Sequence, residues 1–261
     1  MIVAHALAKS FAAAGGTRGT ARVQAVVDVG FEAVDGEITG LLGANGAGKS
    51  TTLRMLATLL RPDTGQACID GHDIVTDVLG ARRQLGYMPH EAGIYPRLSA
   101  RENVHYYARL SGLNGPEAVR RTGELVEQLG MAGFADRRTA GFSQGQKTKV
   151  ALARALVHAP RTLMLDEPTN GLDVMATRGL REILRSLAAR GHCVLFSSHV
   201  MQEVAVLCDR VAIIADGRIA MDDTLPRLLA RTGQPTLEDA FVVALGHDVY
   251  AGAAGAAGAC T

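Results

Sequence analysis

Residues 43–51, with the sequence GANGAGKST, are the part of the chain whose residue types and spacing indicate chemistry most clearly. They fit the pattern G-x-x-x-x-G-K-[ST], in which glycines let the backbone curl so that successive N–H groups point at phosphate oxygens. Lys49 can reach the β- and γ-phosphates of a nucleotide, and the Ser50 hydroxyl can ligate Mg²⁺. The segment predicts a nucleotide site formed by Gly43, Ala44, Asn45, Gly46, Ala47, Gly48, Lys49, Ser50 and Thr51.

A pair of acids follows a short apolar run further along the chain. Leu163, Met164 and Leu165 precede Asp166 and Glu167. Carboxylates at the end of a buried parallel strand face the same crevice as a phosphate loop. Asp166 is suited to hold Mg²⁺, because a hard cation prefers oxygen ligands, and Glu167 can orient or deprotonate an attacking water. Acids often simply end strands, so this pair gains its meaning from the phosphate loop upstream.

The elements around these residues indicate an α/β fold. Residues 37–42 predict a strand that leads into the phosphate loop, and residues 50–56 predict a helix whose N-terminus faces the anion. Continuous apolar runs, as expected of strands covered on both faces, occur at residues 162–165, 193–196 and 211–214. A helical pattern at residues 174–190, closed by Gly191, separates the first two runs. This order predicts a mostly parallel sheet.

Residues 91–159 differ in sequence pattern from the strand-rich remainder of the chain, with few β-branched clusters and three helix-like segments. A capping box at residues 99–102 opens a helix that runs to about residue 110, and Pro116 stands at the start of another that runs to about residue 129. A second capping box, at residues 143–146, opens a helix that ends before Pro160. The simplest organisation is a helical insert in an α/β core.

We therefore expect one nucleotide-binding domain over residues 1–246. Its predicted parts are a core at residues 1–88 and 160–222, a helical subdomain at residues 89–159 and C-terminal helices at residues 223–246, followed by a tail at residues 247–261. The tail is rich in alanine and glycine and is expected to be disordered. Residues 1–8 favour a first strand over a signal peptide, because no positive charge precedes the apolar stretch and Lys9 follows it.

The composition excludes several classes of function. The chain has 261 residues and a net charge of +1 without a basic run, so we expect no nucleic-acid surface. No apolar run approaches the roughly 18 residues that a membrane-spanning helix needs, so a role at a membrane would require a partner. The four cysteines lie far apart without a C-x-x-C pair, which argues against a disulfide framework or metal site and for a reducing, cytosolic compartment.

Residues 142–156, which begin FSQGQ, resemble the L-S-G-G-Q signature of ABC ATPases and the helix that follows it. Residues 170–173 resemble the D-loop of that family, and His199 resembles its switch histidine. Phosphate loop, signature, acidic strand, D-loop and switch histidine stand in the family's order over roughly residues 2–220. The resemblance implies a P-loop NTPase fold with a mostly parallel, RecA-like α/β core, an N-terminal antiparallel β portion and a helical ABC-specific subdomain.

The resemblance also implies an activity. ABC ATPases bind and hydrolyse ATP with Mg²⁺, and the start of the signature helix contacts the γ-phosphate of an ATP held by the partner subunit. Ser143 as N-cap and Gly145 after it fit such an anion site, although an ordinary capped surface helix is the alternative from this segment alone. One phosphate loop and one signature per chain imply a head-to-tail dimer enclosing two ATP molecules. The resemblance also implies that Asp173 contacts ATP and that His199 contacts the γ-phosphate.

Two positions depart from the family pattern or blur it. His90 stands where ABC proteins usually carry a glutamine that touches Mg²⁺ and water and links to the membrane partner, and Gln84 lies too early to replace it. We expect His90 to contact the nucleotide and Mg²⁺ and to couple the nucleotide to the membrane partner. Because a protonated imidazole cannot coordinate, we expect this coupling to be sensitive to mild acid. Phe11 is the better match for the adenine-stacking aromatic, although an Ala/Gly-rich stretch follows it, and Phe31 fits strand core better.

Residues 89–99 and 237–241 are most similar to exporters of the sodium-efflux (NatA-type) and multidrug-resistance kind. The expected protein is an ATPase subunit on the cytoplasmic face of the cell membrane, docked to a separate transmembrane permease. One alternative is a soluble ABC ATPase acting on ribosomes or chromosomes, but the chain lacks a second ATPase domain and a long coiled coil. The other is a regulator that binds ATP without hydrolysis, against which Asp166 and Glu167 speak.

Overall fold

The computed structural model describes residues 1–12, 22–91 and 93–246. The strands are β1 Ile2–Ala12, β2 Arg22–Ala33, β3 Ile38–Leu42, β4 Thr64–Ile69, β5 His72–Asp73, β6 Leu85–Met88, β7 Thr162–Asp166, β8 Cys193–Ser198, β9 Arg210–Ala215 and β10 Arg218–Thr224. The helices are α1 Lys49–Leu56, α2 Val78–Gln84, α3 Ala100–Leu110, α4 Gly115–Gln128, α5 Gln144–Leu156, α6 Val174–Ala189, α7 Met201–Leu207, α8 Leu225–Thr232 and α9 Leu237–Ala244. Within the described ranges the strands form one sheet, in the order β5-β4-β1-β2-β10-β9-β3-β8-β7-β6.

The centre of the sheet is parallel. Strand β3 pairs with β8 and β9, and β7 pairs with β6 and β8, all in parallel. Every residue of β3, β7 and β8 is buried, because helices cover both faces. Leu42 and Phe196 belong to the apolar cluster on one face, and Leu41 and Leu195 to the cluster on the other. Each such side chain stabilises the fold by about 1.5–3 kcal/mol when fully buried. The predicted parallel α/β core is confirmed.

The N-terminal part of the sheet is antiparallel, as expected. Strand β1 pairs with β2 and β4, and Phe31 of β2 is 4% exposed and belongs to the core. Lys9 Nζ lies 2.7 Å from Asp63 Oδ1, and the Ser10 amide donates to Asp63 Oδ2 at 2.9 Å. These hydrogen bonds hold the pKa of the Asp63 carboxyl well below its usual range. They fasten the far end of β1 to the loop that precedes β4.

Helices α3, α4 and α5 lie between β6 and β7 in the chain, where three helices were predicted. The Ser99 hydroxyl accepts from the Glu102 amide and the Glu102 carboxylate accepts from the Ser99 amide, so the capping box at the start of α3 is formed. The same reciprocal pair joins Ser143 and Gln146 at the start of α5. The helices therefore begin where their caps indicate, while their role as a separate subdomain stays a prediction.

Some expectations lie outside the described residues. They concern the tail at residues 247–261, which includes Cys260, and most of the Ala/Gly-rich stretch after Phe11. Of the described cysteines, Cys193 and Cys208 are buried, and burial raises the pKa of the Cys193 thiol to about 11. Within the described ranges, the helices are all too short or too polar to cross a membrane.

Candidate nucleotide-binding site

The phosphate loop connects the end of β3 to the start of α1. Gly48 adopts a left-handed conformation with φ of 107° and begins α1 without a side-chain cap, so the first N–H groups of the helix are left for an anion. A Cβ at Gly43 would lie 2.4 Å from the backbone oxygen of Ile214, and one at Gly48 would lie 2.6 Å from that of Ala25. Both positions therefore require glycine, because the loop runs against neighbouring strands.

The Lys49 ammonium is buried beneath this loop. Its Nζ donates to the backbone oxygens of Gly43, at 2.8 Å, and Ala44, at 3.1 Å. It also lies 3.5 Å from Oε1 of Glu167. A cation this deeply desolvated needs anionic partners, and a nucleotide phosphate in the loop would supply one.

Asp166 ends strand β7 and is 2% exposed. Its Oδ1 accepts from the hydroxyls of Ser50, at 3.1 Å, and Ser197, at 2.7 Å. The described ranges contain no group of three or more His, Cys, Asp or Glu side chains arranged to hold a metal ion. The hydroxyl of Ser50 beside the carboxylate of Asp166 nevertheless fits Mg²⁺, which takes one or two protein oxygens and completes its shell with phosphates and water.

Glu167 follows with its backbone in the left-handed region, at φ of 50°. Its amide donates to the Ser197 hydroxyl at 3.0 Å. The side chain is directed between two positive or polarisable groups, with Oε1 toward Lys49 and Oε2 3.1 Å from Nδ1 of His199. His199, which follows β8, is half-exposed and can reach a further ligand. The structure therefore brings Lys49, Ser50, Asp166, Glu167 and His199 together at one edge of the sheet.

His90 is exposed in the loop that follows β6. It lines a cleft of about 510 Å³ together with Glu167, Pro168, Gln144 and Lys147. The cleft lies between the carboxyl end of the sheet and the start of α5. The position predicted to replace the family's glutamine thus shares a cleft with the predicted water-activating acid.

The predicted signature residues lie apart from the phosphate loop. Ser143 and Asp173 cap the N-termini of α5 and α6, and both are exposed. A Cβ at Gly145 would lie 2.9 Å from the Cβ of Ala176, so glycine permits the two helix starts to approach. Ser143, Gly145 and Asp173 line a cavity of about 180 Å³ whose described lining includes no phosphate-loop residue. The two halves of the predicted ATP site therefore face different spaces within one chain.

Phe11 is 41% exposed near the end of β1, opposite Val23 of β2. Phe31 is buried in the core and is not free to stack on a ligand. Of the two aromatic candidates, Phe11 therefore keeps its ring available, and its role as the adenine platform stays a prediction.

The sequence motifs do not predict a role for Ser197, nor the contact between the loop after β7 and helix α7. Ser197 touches both acids, and the Thr169 hydroxyl donates to the carboxylate of Glu203 on α7. The sequence does show a hydroxyl two residues before the switch histidine, directly after the apolar run at residues 193–196. Pairing register, which the sequence does not state, was needed to recognise it.

The comparisons with known proteins agree on one family. Residues 26–170 match the family model described as ABC transporter. The chain is 42% identical to the ABC transporter ATP-binding protein NatA of Bacillus subtilis, over 79% of this chain and 84% of that protein. It is 36% identical to the linearmycin resistance ATP-binding protein LnrL of the same organism, over 84% of this chain and 73% of that protein.

Solved structures agree in fold. The ATP-binding subunit of an ABC transporter matches with a TM-score of 0.80 and 29% identity, over 94% of this chain and 99% of that one. A dimeric ATP-binding cassette in a post-hydrolysis state, bound to ADP and Pi, matches with a TM-score of 0.75 and 26% identity, over 86% of this chain and 99% of that one. The fold is therefore one that assembles as a dimer in a relative.

Proposed function

The chain belongs to the ABC transporter family of ATP-binding subunits, and we propose that its ATPase cycle powers export through a separate transmembrane permease. It is an ATP-binding ATPase of the dimer-forming cassette type. The observation that carries the proposal is the meeting of Lys49, Ser50, Asp166, Glu167 and His199 at one sheet edge. These groups can bind phosphates, position Mg²⁺ and activate water in one place.

The proposed chemistry is hydrolysis of the bond between the β- and γ-phosphates of ATP. Phosphate-loop amides and Lys49 hold the phosphate oxygens, and Ser50 and Asp166 would hold Mg²⁺. When bound, Mg²⁺ supplies positive charge that offsets the charge of the β- and γ-phosphates. Glu167 accepts a proton from the attacking water, and His199 contacts the γ-phosphate. Positioned proton transfer contributes roughly 10²- to 10⁴-fold to rate, while electrostatic positioning supplies most of the remainder.

We further propose that the dimer is head-to-tail, with Ser143, Gly145 and Asp173 of one copy completing the ATP site of the other. The exposed positions of Ser143 and Asp173, and a cavity that excludes the phosphate loop within one chain, support this arrangement. The N-terminus of α5 carries free N–H groups and the positive end of its dipole, which suit a γ-phosphate. Phe11 would stack on the adenine, and His90 would contact the nucleotide and Mg²⁺ from the cleft.

The proposed partner is a permease at the cytoplasmic face of the cell membrane. Na⁺ is the first cargo to test. Two relatives are named for drug resistance: LnrL for resistance to linearmycin, and DrrA of Mycobacterium tuberculosis for resistance to doxorubicin. These names support an export role. A ribosome- or chromosome-associated function is less well supported, because a net charge of +1 without a basic run in the sequence gives no reason to expect a nucleic-acid surface.

Purification of the tagged full chain from a detergent extract of its own cells tests the proposal. We expect a protein with several membrane spans to co-purify in a fixed ratio to the tagged chain and to be retained when MgATP is present. Ribosomal particles or DNA in its place would overturn the transport role. Inside-out vesicles that hold the complex test the cargo separately, since failure to accumulate Na⁺ on addition of MgATP would remove Na⁺ and leave export standing.

A further inference from the structure

Ser197 is buried at the carboxyl end of β8, directly beside the acidic end of β7. In the parallel pairing of these strands, Asp166 is opposite Ser197. The side chain of Ser197 is wholly shielded from solvent. A hydroxyl at this position must therefore be satisfied by protein groups, and both groups that satisfy it belong to the predicted catalytic acids.

The single hydroxyl of Ser197 uses its donor and its acceptor capacity on consecutive residues. It donates to Oδ1 of Asp166 at 2.7 Å and accepts from the amide of Glu167 at 3.0 Å. A serine hydroxyl has one proton to donate, so a bond in each direction fixes its rotor. The carboxylate of Asp166 and the peptide that carries Glu167 are thereby fixed relative to each other.

The backbone of Glu167 needs such a restraint. Its φ of 50° places a residue with a long side chain in the left-handed region. Conformations of this kind persist where the surrounding structure holds them, and they concentrate at functional sites. The direction of the Glu167 side chain, between Lys49 and His199, depends on this backbone conformation.

We propose that Ser197 is a positioning residue for ATP hydrolysis. It orients Asp166 toward Mg²⁺ and holds the backbone of Glu167 so that the carboxylate of Glu167 faces the attacking water. The inference rests on the roles proposed above for those two acids. It assigns Ser197 no contact with the nucleotide, so nucleotide affinity in the absence of Mg²⁺ should not depend on it. A serine that merely fills the core would instead affect stability without a selective effect on turnover.

Ser197→Ala removes the hydroxyl and is the main variant. Thr39→Val is the matched control, because Thr39 is a fully buried residue of the neighbouring strand β3 whose hydroxyl has no hydrogen-bond partner in the described part of the chain. Ser197→Thr keeps a hydroxyl at the position. Thermal melting of all three variants establishes that they are folded before any rate is compared.

The readouts are kcat, the KM for ATP, and the affinity for the non-hydrolysable analogue AMP-PNP in EDTA and at graded Mg²⁺. Loss of a group that orients a metal ligand typically costs about 10- to 100-fold. We expect kcat of Ser197→Ala to fall by about that factor. The Mg²⁺ concentration needed to enhance AMP-PNP binding should rise, while the affinity for AMP-PNP in EDTA stays within about twofold of the wild-type value. Ser197→Thr should recover most of the loss.

The proposal is overturned if folded Ser197→Ala matches Thr39→Val in kcat and in its Mg²⁺ response. It is equally overturned if Ser197→Thr, with an unchanged melting temperature, is as slow as Ser197→Ala. Failure of the proposed function looks different, since a Glu167→Gln variant would then turn over normally or no membrane partner would co-purify, whatever Ser197 does.

Discussion

Nδ1 of His199 lies 3.1 Å from Oε2 of Glu167, although the two residues are 32 positions apart in the chain. They belong to the segments that follow the neighbouring parallel strands β7 and β8. The other oxygen of the same carboxylate lies 3.5 Å from Nζ of Lys49. One carboxylate thus joins the phosphate loop to the switch histidine.

Glu167→Gln should retain ATP binding and lose hydrolysis. The amide keeps the size of the side chain but cannot accept the proton of the attacking water, so we expect kcat to fall by at least about 10²-fold. The affinity for ATP should change by less than about threefold. Turnover under saturating MgATP and nucleotide binding are measured side by side, with Glu182→Gln on the exposed face of α6 as control. Unchanged turnover in Glu167→Gln would refute the assignment.

His199→Ala should lower kcat with a smaller effect on ATP affinity, because the imidazole is proposed to act at the γ-phosphate. Since His199 and Glu167 are in contact, the double variant with Glu167→Gln should be little slower than Glu167→Gln alone. A double-variant cycle on kcat measures this coupling. Strictly additive losses would show that the two side chains act independently.

His90→Gln should change the pH profile of the ATPase. A histidine side chain gains a proton in mild acid and then neither accepts a hydrogen bond nor coordinates a cation, whereas glutamine does not titrate. We expect wild-type kcat to decline more steeply than that of His90→Gln in mild acid. Both profiles are recorded on membranes that hold the complex. Superimposable profiles would remove His90 from the coupling between nucleotide and permease.

His158 should make stability fall in mild acid. Burial lowers the pKa of its imidazole, and Nδ1 has no hydrogen-bond partner in the described ranges. The unfolded chain therefore takes up this proton first, at about pH 6.5, so the stabilisation is complete above that value and is lost as pH falls toward the folded pKa. His158→Gln, which keeps a donor for the Leu85 oxygen, should show a flatter melting temperature between pH 7 and pH 5. Burial also lowers the pKa of His192, so some slope remains. Equal slopes in both proteins would contradict this account.

Much of the fold could be predicted, because its signals are local. Capping boxes at Ser99 and Ser143 place the starts of α3 and α5, and continuous apolar runs mark β7, β8 and β9. Strands β4, β5 and β10 carry no comparable signal. In β10 the residues are partly exposed and include two consecutive aspartates, Asp222 and Asp223, so the pairing with β9 rather than the local pattern decides the strand.

The candidate site also contains residues that the local sequence predicts and contacts that it does not predict. Residues 43–51 and the pair Asp166 and Glu167 are recognisable from type and spacing alone. The double hydrogen bond of Ser197 and the contact of Thr169 with Glu203 depend on which strands are neighbours and in what register. A sequence supplies those relationships only after the sheet order is known.

Each ATP site is proposed to need two copies of the chain. Sedimentation velocity of Glu167→Gln tests it most directly, with saturating MgATP, with MgADP and without nucleotide, beside the same protein carrying Gly145→Asp. We expect Glu167→Gln to be a dimer only when MgATP is present. The protein that also carries Gly145→Asp should be a monomer in all three conditions, because the added carboxylate would repel the γ-phosphate. A Glu167→Gln protein that stays monomeric in saturating MgATP, or a dimer that Gly145→Asp leaves intact, would contradict the account.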